Sequence, residues 1–275
     1  MKFIHLSDLH IGKRVNEFSM LEEQRYILLK ILEIIEQEKP DAVLIAGDVY
    51  DKSQPSGEAV KMLDEFIFRL SDMPLSAFII SGNHDSAERL ASCAGLLDKA
   101  GLYLQGAAQR APRVVEFADS QVFFLPWITE EKIKSLYPEE RDGITDLTEA
   151  YRVAVNHMRE KFIPGKHHLL LSHAFITNAE TSTSDRAAEI GFATQVPASV
   201  FEGFDYVALG HIHKPQQVNP FIRYSGSPMA YSFGKEEHQE KSVTLIDTAA
   251  MTQQVLPLPL LHRWTTLTDS YEALL

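Results

Sequence analysis

Short apolar runs that end abruptly in polar residues recur along the chain. They occupy residues 2–12 (KFIHLSDLHIG), 42–46 (AVLIA), 75–81, 168–171 and 206–209. Continuous apolar runs of this length predict strands buried on both faces, as in a parallel sheet. Segments with apolar residues at helical spacing lie at residues 20–37, 57–70 and 87–100. Strands that alternate with crossover helices predict an α/β fold.

The second half of the chain predicts further elements and one domain boundary. We expect elements in four places: a hairpin over residues 114–126, a helix over 147–162, and strands over 223–225 and 241–247. The polar residues 178–185 (NAETSTSD) predict a flexible lip. Pro257 and Pro259 indicate a linker. We therefore assign residues 1–255 to one domain, and residues 256–275 to a linker and the start of another.

Each apolar run is followed by side chains that can bind metal ions. These side chains are Asp8 and His10, Asp48, Asn83 with His84 and Asp85, His173, and His211 with His213. Any one motif is weak, because a single Asp-x-His is more often a helix cap beside a surface histidine. Five such motifs at the carboxyl ends of parallel strands fall where open α/β sheets bind their ligands. The pattern therefore predicts one shared site.

Oxygen and imidazole ligands of this kind suit Mn²⁺, Fe²⁺ or Zn²⁺. A carboxylate such as Asp48 can bridge two cations, and His84 offers either a ligand or a proton donor. Two neighbouring divalent ions are the arrangement that hydrolyses phosphate esters. The ligand set therefore predicts two-metal hydrolysis of a phosphate ester.

Composition narrows the class of protein but not the substrate. A formal charge of −12 over 275 residues argues against binding nucleic acid through the overall field of the protein. It does not exclude a nucleic-acid substrate, because bound metal reverses the local effect of carboxylates. The apolar runs are too short for a signal peptide or a membrane span, so we expect a cytoplasmic protein without membrane contact.

Three other residues receive structural interpretations. Cys93 is the only cysteine, which excludes an intramolecular disulfide, and its setting (LASCAGLL) predicts a buried helix residue. His167 and His168 precede their strand, at the end opposite the predicted site. We therefore predict that both are surface histidines.

Longer segments carry a resemblance to a known family. These are residues 204–216 (FDYVALGHIHKPQ), 223–237 (RYSGSPMAYSFGKEE) and 241–247 (KSVTLID). With the metal motifs, the chain resembles the calcineurin-like metallophosphoesterases and, among them, the SbcD-type nuclease subunits of bacterial DNA repair complexes. The resemblance covers about residues 1–260. It implies a two-sheet α-β-β-α sandwich.

The resemblance also implies a role for each site residue. The first metal would be bound by Asp8, His10, Asp48 and His213, and the second by Asp48, as the bridge, with Asn83, His173 and His211. His84 would face the phosphate without binding metal, and Asp85 would orient its imidazole. Mn²⁺ is the metal expected, with Mg²⁺, Fe²⁺ or Zn²⁺ as alternatives. One departure is Asp51, because some relatives have a histidine at that position.

For function, the resemblance implies a manganese-dependent nuclease acting in DNA repair and recombination with an SbcC-type coiled-coil ATPase. Its activities would be 3′–5′ exonuclease on double strands and endonuclease on single strands and hairpins. A small DNA-capping domain would begin within residues 256–275. The helices at 57–70 and 87–100 would pair in a homodimer, although their apolar residues could equally cover the sheet.

Two alternatives remain open at this stage. A small-substrate metallophosphatase or cyclic-nucleotide phosphodiesterase would use the same metals, and the acidic charge slightly favours it. A metal-free scaffold on the same fold would usually have lost ligands, and none of the expected ligands is missing.

Overall fold

Two six-stranded β-sheets form the centre of the molecule. The computed structural model describes residues 1–185 and 195–269. The strands of the first sheet are β1 (Lys2–Leu6), β2 (Ala42–Ala46), β3 (Ser76–Ile80), β4 (Leu102–Gln105), β11 (Ser242–Asp247) and β12 (Thr252–Pro257). Those of the second sheet are β5 (Val114–Glu116), β6 (Ser120–Leu125), β7 (His167–His173), β8 (Tyr206–Gly210), β9 (Gln216–Asn219) and β10 (Ile222–Tyr224).

Each sheet has a run of four parallel strands, with antiparallel strands at one edge of the first sheet and at both edges of the second. The first sheet runs β12-β11-β1-β2-β3-β4, in which β1 to β4 are parallel. The second runs β9-β10-β8-β7-β6-β5, with β10, β8, β7 and β6 parallel. All five residues of β2 are buried, as expected for a central parallel strand of Ala, Val, Leu and Ile.

Helices cover the outer faces of the two sheets. The helices are α1 (Leu21–Glu38), α2 (Gly57–Ser71), α3 (Ala87–Leu90), α4 (Ala94–Leu97), α5 (Glu130–Leu136) and α6 (Leu147–Arg159). The apolar faces of α1 and α2 pack on the first sheet, and those of α5 and α6 pack on the second. A third apolar cluster, which includes Phe3, Phe78 and Phe124, lies between the sheets. The predicted α-β-β-α sandwich is therefore confirmed.

The predicted helix over residues 87–100 is wrong in its extent. The chain forms two single-turn helices, α3 and α4, followed by a 3₁₀ turn at Asp98–Ala100. Backbone bonds from Ala94 to Ala91 and from Leu96 to Cys93 are of the tighter i to i−3 kind. The prediction for Cys93 fails with the helix, because Cys93 is an exposed residue preceding α4.

Among the described strands of the two six-stranded sheets, three were absent from the sequence prediction: β4, β9 and β12. The last of these crosses the predicted domain boundary at residue 255, since it continues to Pro257. Leu258 is buried, and the partly buried Leu260 and Trp264 pack against the apolar core between the first sheet and its helices. Residues 256–264 therefore contact the sandwich. A second domain starting within residues 256–275 stays a prediction.

His167 and His168 lie at the amino end of β7, opposite the site. The surface prediction is only partly correct, because the His168 side chain is 13% exposed. Its ring stacks on Phe162 with the ring centroids 3.8 Å apart. Within residues 1–185 and 195–269, no helix combines the length and the apolar character needed to cross a bilayer.

Candidate metal centre

All the side chains predicted to bind metal meet at one edge of the sandwich. The first sheet supplies Asp8 and His10 after β1, Asp48 after β2 and Asn83 after β3. The second sheet supplies His173 at the end of β7, and His211 and His213 after β8. Most of them are fully or almost fully buried. The site is therefore built from both sheets.

Carboxylates near the centre of this group belong to more than one potential metal site. Among residues 1–185 and 195–269, donor atoms lie within 4.8 Å of one another in three overlapping sets of residues. The sets are Asp8 with His10 and His213, His10 with Asp48 and His84, and Asp8 with Asp48 and His173. Asp48 connects the second and third sets, which is what a bridging ligand must do.

The first half of the site brings the ring nitrogens of two imidazoles together, with the rings tilted 66° to each other. The Nε2 atoms of His10 and His213 lie 3.0 Å apart, and His10 Nε2 is 3.6 Å from the Oδ2 atom of Asp48. Two ring nitrogens and a carboxylate oxygen thus converge without water-exposed surface. This donor set fits one divalent cation.

The second half is organised by a hydrogen bond between the sheets. The Nδ1 atom of His173 donates to the carbonyl oxygen of Ala46 over 2.8 Å, since a carbonyl can only accept. This contact directs Nε2 toward Asn83 Oδ1 (2.9 Å) and Asp48 Oδ2 (3.5 Å). The Nδ1 atom of His211 lies 3.1 Å from the same Asn83 oxygen. These donors fit a second divalent cation.

His84 lies beside Asp48 but its ring is fixed by another residue. Its Nδ1 donates to the carbonyl oxygen of Asp51 over 2.8 Å, and its Nε2 is 3.9 Å from Asp48 Oδ2. The backbone amide of His84 also donates to Asp48 Oδ1. The ring is therefore held with one nitrogen on the site.

Asp85 makes different contacts from those we expected. Its carboxylate accepts hydrogen bonds from the backbone amides of Val49 (3.1 Å), Tyr50 (2.8 Å) and Gly82 (2.9 Å). Asp85 thus ties together the loops that follow β2 and β3. The orientation of the His84 ring, which we had assigned to Asp85, comes from the carbonyl group of Asp51.

Comparisons with known proteins agree with this geometry. Residues 1–215 match the family described as calcineurin-like phosphoesterase. The chain belongs to the calcineurin-like phosphoesterase family. Two curated relatives are named as the SbcD component of nuclease SbcCD. The one from Staphylococcus epidermidis is 34% identical and the one from Staphylococcus saprophyticus is 31% identical, each over 99% of this chain and 73% of the relative.

A solved structure supports the fold assignment. A dimetal phosphatase from Danio rerio superimposes with a TM-score of 0.53, covering 89% of this chain and 91% of its own. At 12% identity it shows only that the calcineurin-like phosphoesterase fold is shared.

Electrostatics in this phosphoesterase site favour a bound cation. Burial lowers the pKa of His10 to about 3, so its ring is neutral and can donate electron pairs. Burial alone would raise the pKa of Asp48, but His173 and the neighbouring imidazoles lower it well below its usual range. The charge of Asp48 outweighs burial at His173 and raises its pKa to about 9. A cation bound beside Asp48 would displace the proton that His173 carries.

The backbone around the ligands is also unusual. Asp8, His10 and Asp48 have positive φ angles of 53°, 43° and 49°. Gly47 has a φ of 84°, and a Cβ atom there would lie 2.5 Å from His173 Nδ1. This glycine is what allows the imidazole of His173 to reach the backbone of Ala46.

Sequence reasoning missed a polar layer behind His213. Residues 178–185, predicted to be a flexible lip, place Asp185 in the interior at 7% exposure, where it accepts from the backbone amide of His213 (3.1 Å). Glu236 and Lys241 are also buried, and Lys241 Nζ donates to the carbonyl oxygen of His213 (3.1 Å). The signals for Glu236 and Lys241 were the segments 223–237 and 241–247, which were used above for the resemblance alone.

Proposed function

We propose that this phosphoesterase is the nuclease subunit of a DNA repair complex. It would hydrolyse DNA phosphodiester bonds with two divalent ions, most readily Mn²⁺, as a double-strand 3′–5′ exonuclease and a single-strand and hairpin endonuclease. The observation that carries this proposal is similarity over 99% of the chain to two proteins named as the SbcD component of nuclease SbcCD. The convergence of buried donors from Asp8, His10, Asp48, His173 and His213 supports it.

The residues of the site would form two groups, each binding one metal ion. Asp8, His10, Asp48 and His213 would hold one ion, and Asp48, Asn83, His173 and His211 the other. Two such ions bind phosphate oxygens, lower the pKa of a bound water and stabilise charge on the entering and leaving oxygens. Asp48 lies between the two groups of ligands and would set the distance between the two ions.

His84 would act on the phosphate and not on the metal. Its Nδ1 is committed to the carbonyl oxygen of Asp51, so only Nε2 can face the reacting atoms. A protonated Nε2 at this position can donate to a phosphate oxygen or protonate the leaving oxygen. Asp85 would support this arrangement indirectly, by holding the loop that carries His84 against Val49 and Tyr50.

Similarity to these relatives supports two proposed partners, DNA and an SbcC-type coiled-coil ATPase. A second copy of this chain, forming a homodimer, is proposed from the resemblance given in the sequence analysis. The net charge of −12 leaves DNA affinity to surfaces contributed by such partners. Residues 256–275 would lead into a DNA-capping domain.

Two other functions use the same fold. A small-substrate metallophosphatase or cyclic-nucleotide phosphodiesterase is compatible with the metal centre and with the acidic charge. A metal-free scaffold is less compatible, because a site kept only for structure has no need of so many buried donors around one carboxylate.

One assay separates the three functions. The chain is incubated with Mn²⁺ and either linear duplex DNA, single-stranded circles or a nitrophenyl phosphodiester, and a chelator-treated sample is the control. We expect cleavage of both DNA substrates that the chelator abolishes. Cleavage of the nitrophenyl ester with both DNA substrates intact would favour a small-substrate enzyme. No cleavage of any substrate, with no Mn²⁺ bound, would favour the scaffold.

A further inference from the structure

The segment at residues 223–237 contributes no metal ligand, yet one of its side chains lies against the site. Glu236 belongs to the 3₁₀ turn Lys235–His238 and is only 1% exposed. Its Oε1 atom is 3.5 Å from the Nδ1 atom of His213. Glu236 is thus a buried carboxylate beside Nδ1 of His213, the ring nitrogen opposite the one that approaches His10. Because buried polar groups are normally hydrogen-bonded, its partners have to be identified.

A serine hydroxyl connects the two groups. The Oγ atom of Ser184 lies 2.5 Å from His213 Nδ1 and also forms a hydrogen bond with Glu236 Oε1. An ionised carboxylate can only accept, so the hydroxyl proton of Ser184 is directed to Glu236. The hydroxyl then presents a lone pair to His213, and Nδ1 must carry the ring proton. The Nε2 atom of the neutral ring is left with its electron pair, facing His10 Nε2 at 3.0 Å.

The other oxygen of Glu236 is fixed as well. Oε2 accepts from the backbone amides of Tyr231 (2.6 Å) and Ser232 (3.2 Å). Both carboxylate oxygens are therefore acceptors with defined donors. The Oδ1 atom of Asp185 lies 3.6 Å from His213 Nδ1, nearly as close as Glu236 Oε1, but Asp185 accepts its hydrogen bonds from the backbone amides of Ser182 (2.5 Å) and His213 (3.1 Å).

We propose that Glu236 is a positioning residue for His213, acting through the Ser184 hydroxyl to hold the imidazole in the tautomer that binds metal through Nε2. Carboxylates that fix a ligating histidine in this way commonly contribute 10- to 100-fold to metal affinity. The proposal depends on the metal centre of the proposed function but not on its DNA substrate.

The test compares Glu236→Gln with Glu237→Gln in the full chain. In the first variant the amide keeps only one accepting atom, so it cannot satisfy both Ser184 and the backbone amides of Tyr231 and Ser232. The control changes Glu237, whose carboxylate accepts hydrogen bonds from the backbone amides of Gly234 and Thr266 and has no contact with His213.

Two measurements read the result without any nuclease assay. Free Mn²⁺ is followed by electron paramagnetic resonance during titration, and the tautomer of His213 is read from ¹⁵N shifts of the metal-free protein, assigned with His213→Gln. For Glu236→Gln we expect one of two Mn²⁺ ions to bind about 10- to 100-fold more weakly, together with altered ¹⁵N shifts of His213. The control should match the wild type in both measurements.

Binding of both ions within about twofold of the wild type, with unchanged His213 shifts, would overturn the proposal. Should Glu236→Gln not fold, Ser184→Ala provides the second test, since it removes only the connecting hydroxyl and should also alter the His213 shifts. A chain that binds two Mn²⁺ ions but cleaves no DNA would contradict the proposed function and leave this inference standing.

Discussion

The Nδ1 atom of His84 donates a hydrogen bond to the carbonyl oxygen of Asp51, 2.8 Å away, and this bond fixes which ring nitrogen faces the site. If His84 acts on the transition state, His84→Ala should lower kcat about 10²- to 10⁴-fold while two Mn²⁺ ions still bind. Kinetics and a Mn²⁺ titration on the same sample check this.

The matched control for His84 is His238→Ala, because His238 is an exposed histidine outside the ligand set. It should keep wild-type kcat. His84 also lies within one potential metal triad, with His10 and Asp48. Loss of an ion from the His84→Ala variant would make His84 a ligand and contradict the role proposed here.

Asp48 should be indispensable for both ions. Asp48→Asn removes the charge shared by the two halves of the site, so we expect Mn²⁺ binding to weaken and hydrolysis to fall below detection while the fold persists. Titration, DNA cleavage and far-ultraviolet circular dichroism measure the three effects. Asp64→Asn on the exposed surface of α2 is the control. Undiminished Mn²⁺-dependent cleavage by Asp48→Asn would refute the bridging assignment.

His5, buried between the sheets, should make stability depend on pH. Its Nε2 donates to the Leu209 carbonyl oxygen (3.1 Å) and its Nδ1 accepts from the Tyr206 hydroxyl (2.9 Å). Burial, aided by the charge of Arg223, lowers its pKa from 6.5 to about 3. Below pH 6.5 the unfolded chain binds a proton that the folded chain does not. The contribution of His5 to stability is therefore complete above that pH and declines as the pH falls toward 3.

Urea unfolding in chelator between pH 4 and pH 8 tests this dependence. Relative to His5→Gln, the wild type should lose about 1.4 kcal/mol of unfolding free energy per pH unit on the acid side. His262→Gln is the control, because the contact with Glu23 raises the pKa of this exposed histidine and any effect has the opposite sign. Parallel curves for wild type and His5→Gln would show that His5 is protonated in the folded state.

The proposed homodimer is best tested at exposed residues of the helices that would pair. On α2, Met62, Leu63, Phe66 and Leu70 are buried against the first sheet, so changing Phe66 would damage the core. Phe68 and Leu96 are exposed instead, at 64% and 71%. If these helices pair, the chain sediments as a dimer at micromolar concentration, and Phe68→Glu or Leu96→Glu yields folded monomers. Phe18→Glu, at an exposed position outside both helices, should leave the dimer intact.

A wild-type chain that sediments as a monomer at every concentration would reject the pairing. The apolar residues of α2 would then serve only to cover the sheet.

The parts of the fold that depend on local pattern were predictable from sequence. The run AVLIA at Ala42–Ala46 and the alternation of strands with α1 and α2 identify a parallel sheet, because an apolar run this short fits a strand buried on both faces and not a helix. The side chains after each strand then follow from the rule that parallel strands end at one edge. The proximity of Asp8 and Asp48, which follow neighbouring parallel strands of the first sheet, was accessible for this reason.

The features that the sequence did not predict depend mostly on contacts between residues far apart in the chain. Strands such as β9 (QQVN) carry no apolar run, and they form because a neighbouring strand offers hydrogen bonds. Asp185 and Glu236 are far apart in sequence and are buried only because both reach His213. Nothing in the polar segment that contains Asp185 distinguishes a buried carboxylate from a solvated loop. The error for residues 87–100 is of another kind. The apolar residues there are only weakly at helical spacing, and the chain forms local turns around Cys93 instead of one helix.

The left-handed backbone at Asp8, His10, Asp48 and His211 limits which residues evolution can place there. Asp, Asn and His are the non-glycine residues that adopt positive φ most readily, whereas β-branched side chains are strongly disfavoured. The side chains proposed to bind the metals are thus also those that the backbone tolerates. A descendant that lost the chemistry would be expected to replace them with Asn or Gly before Val or Ile. Relatives with inactive sites should therefore keep the shape of these loops long after losing their metals.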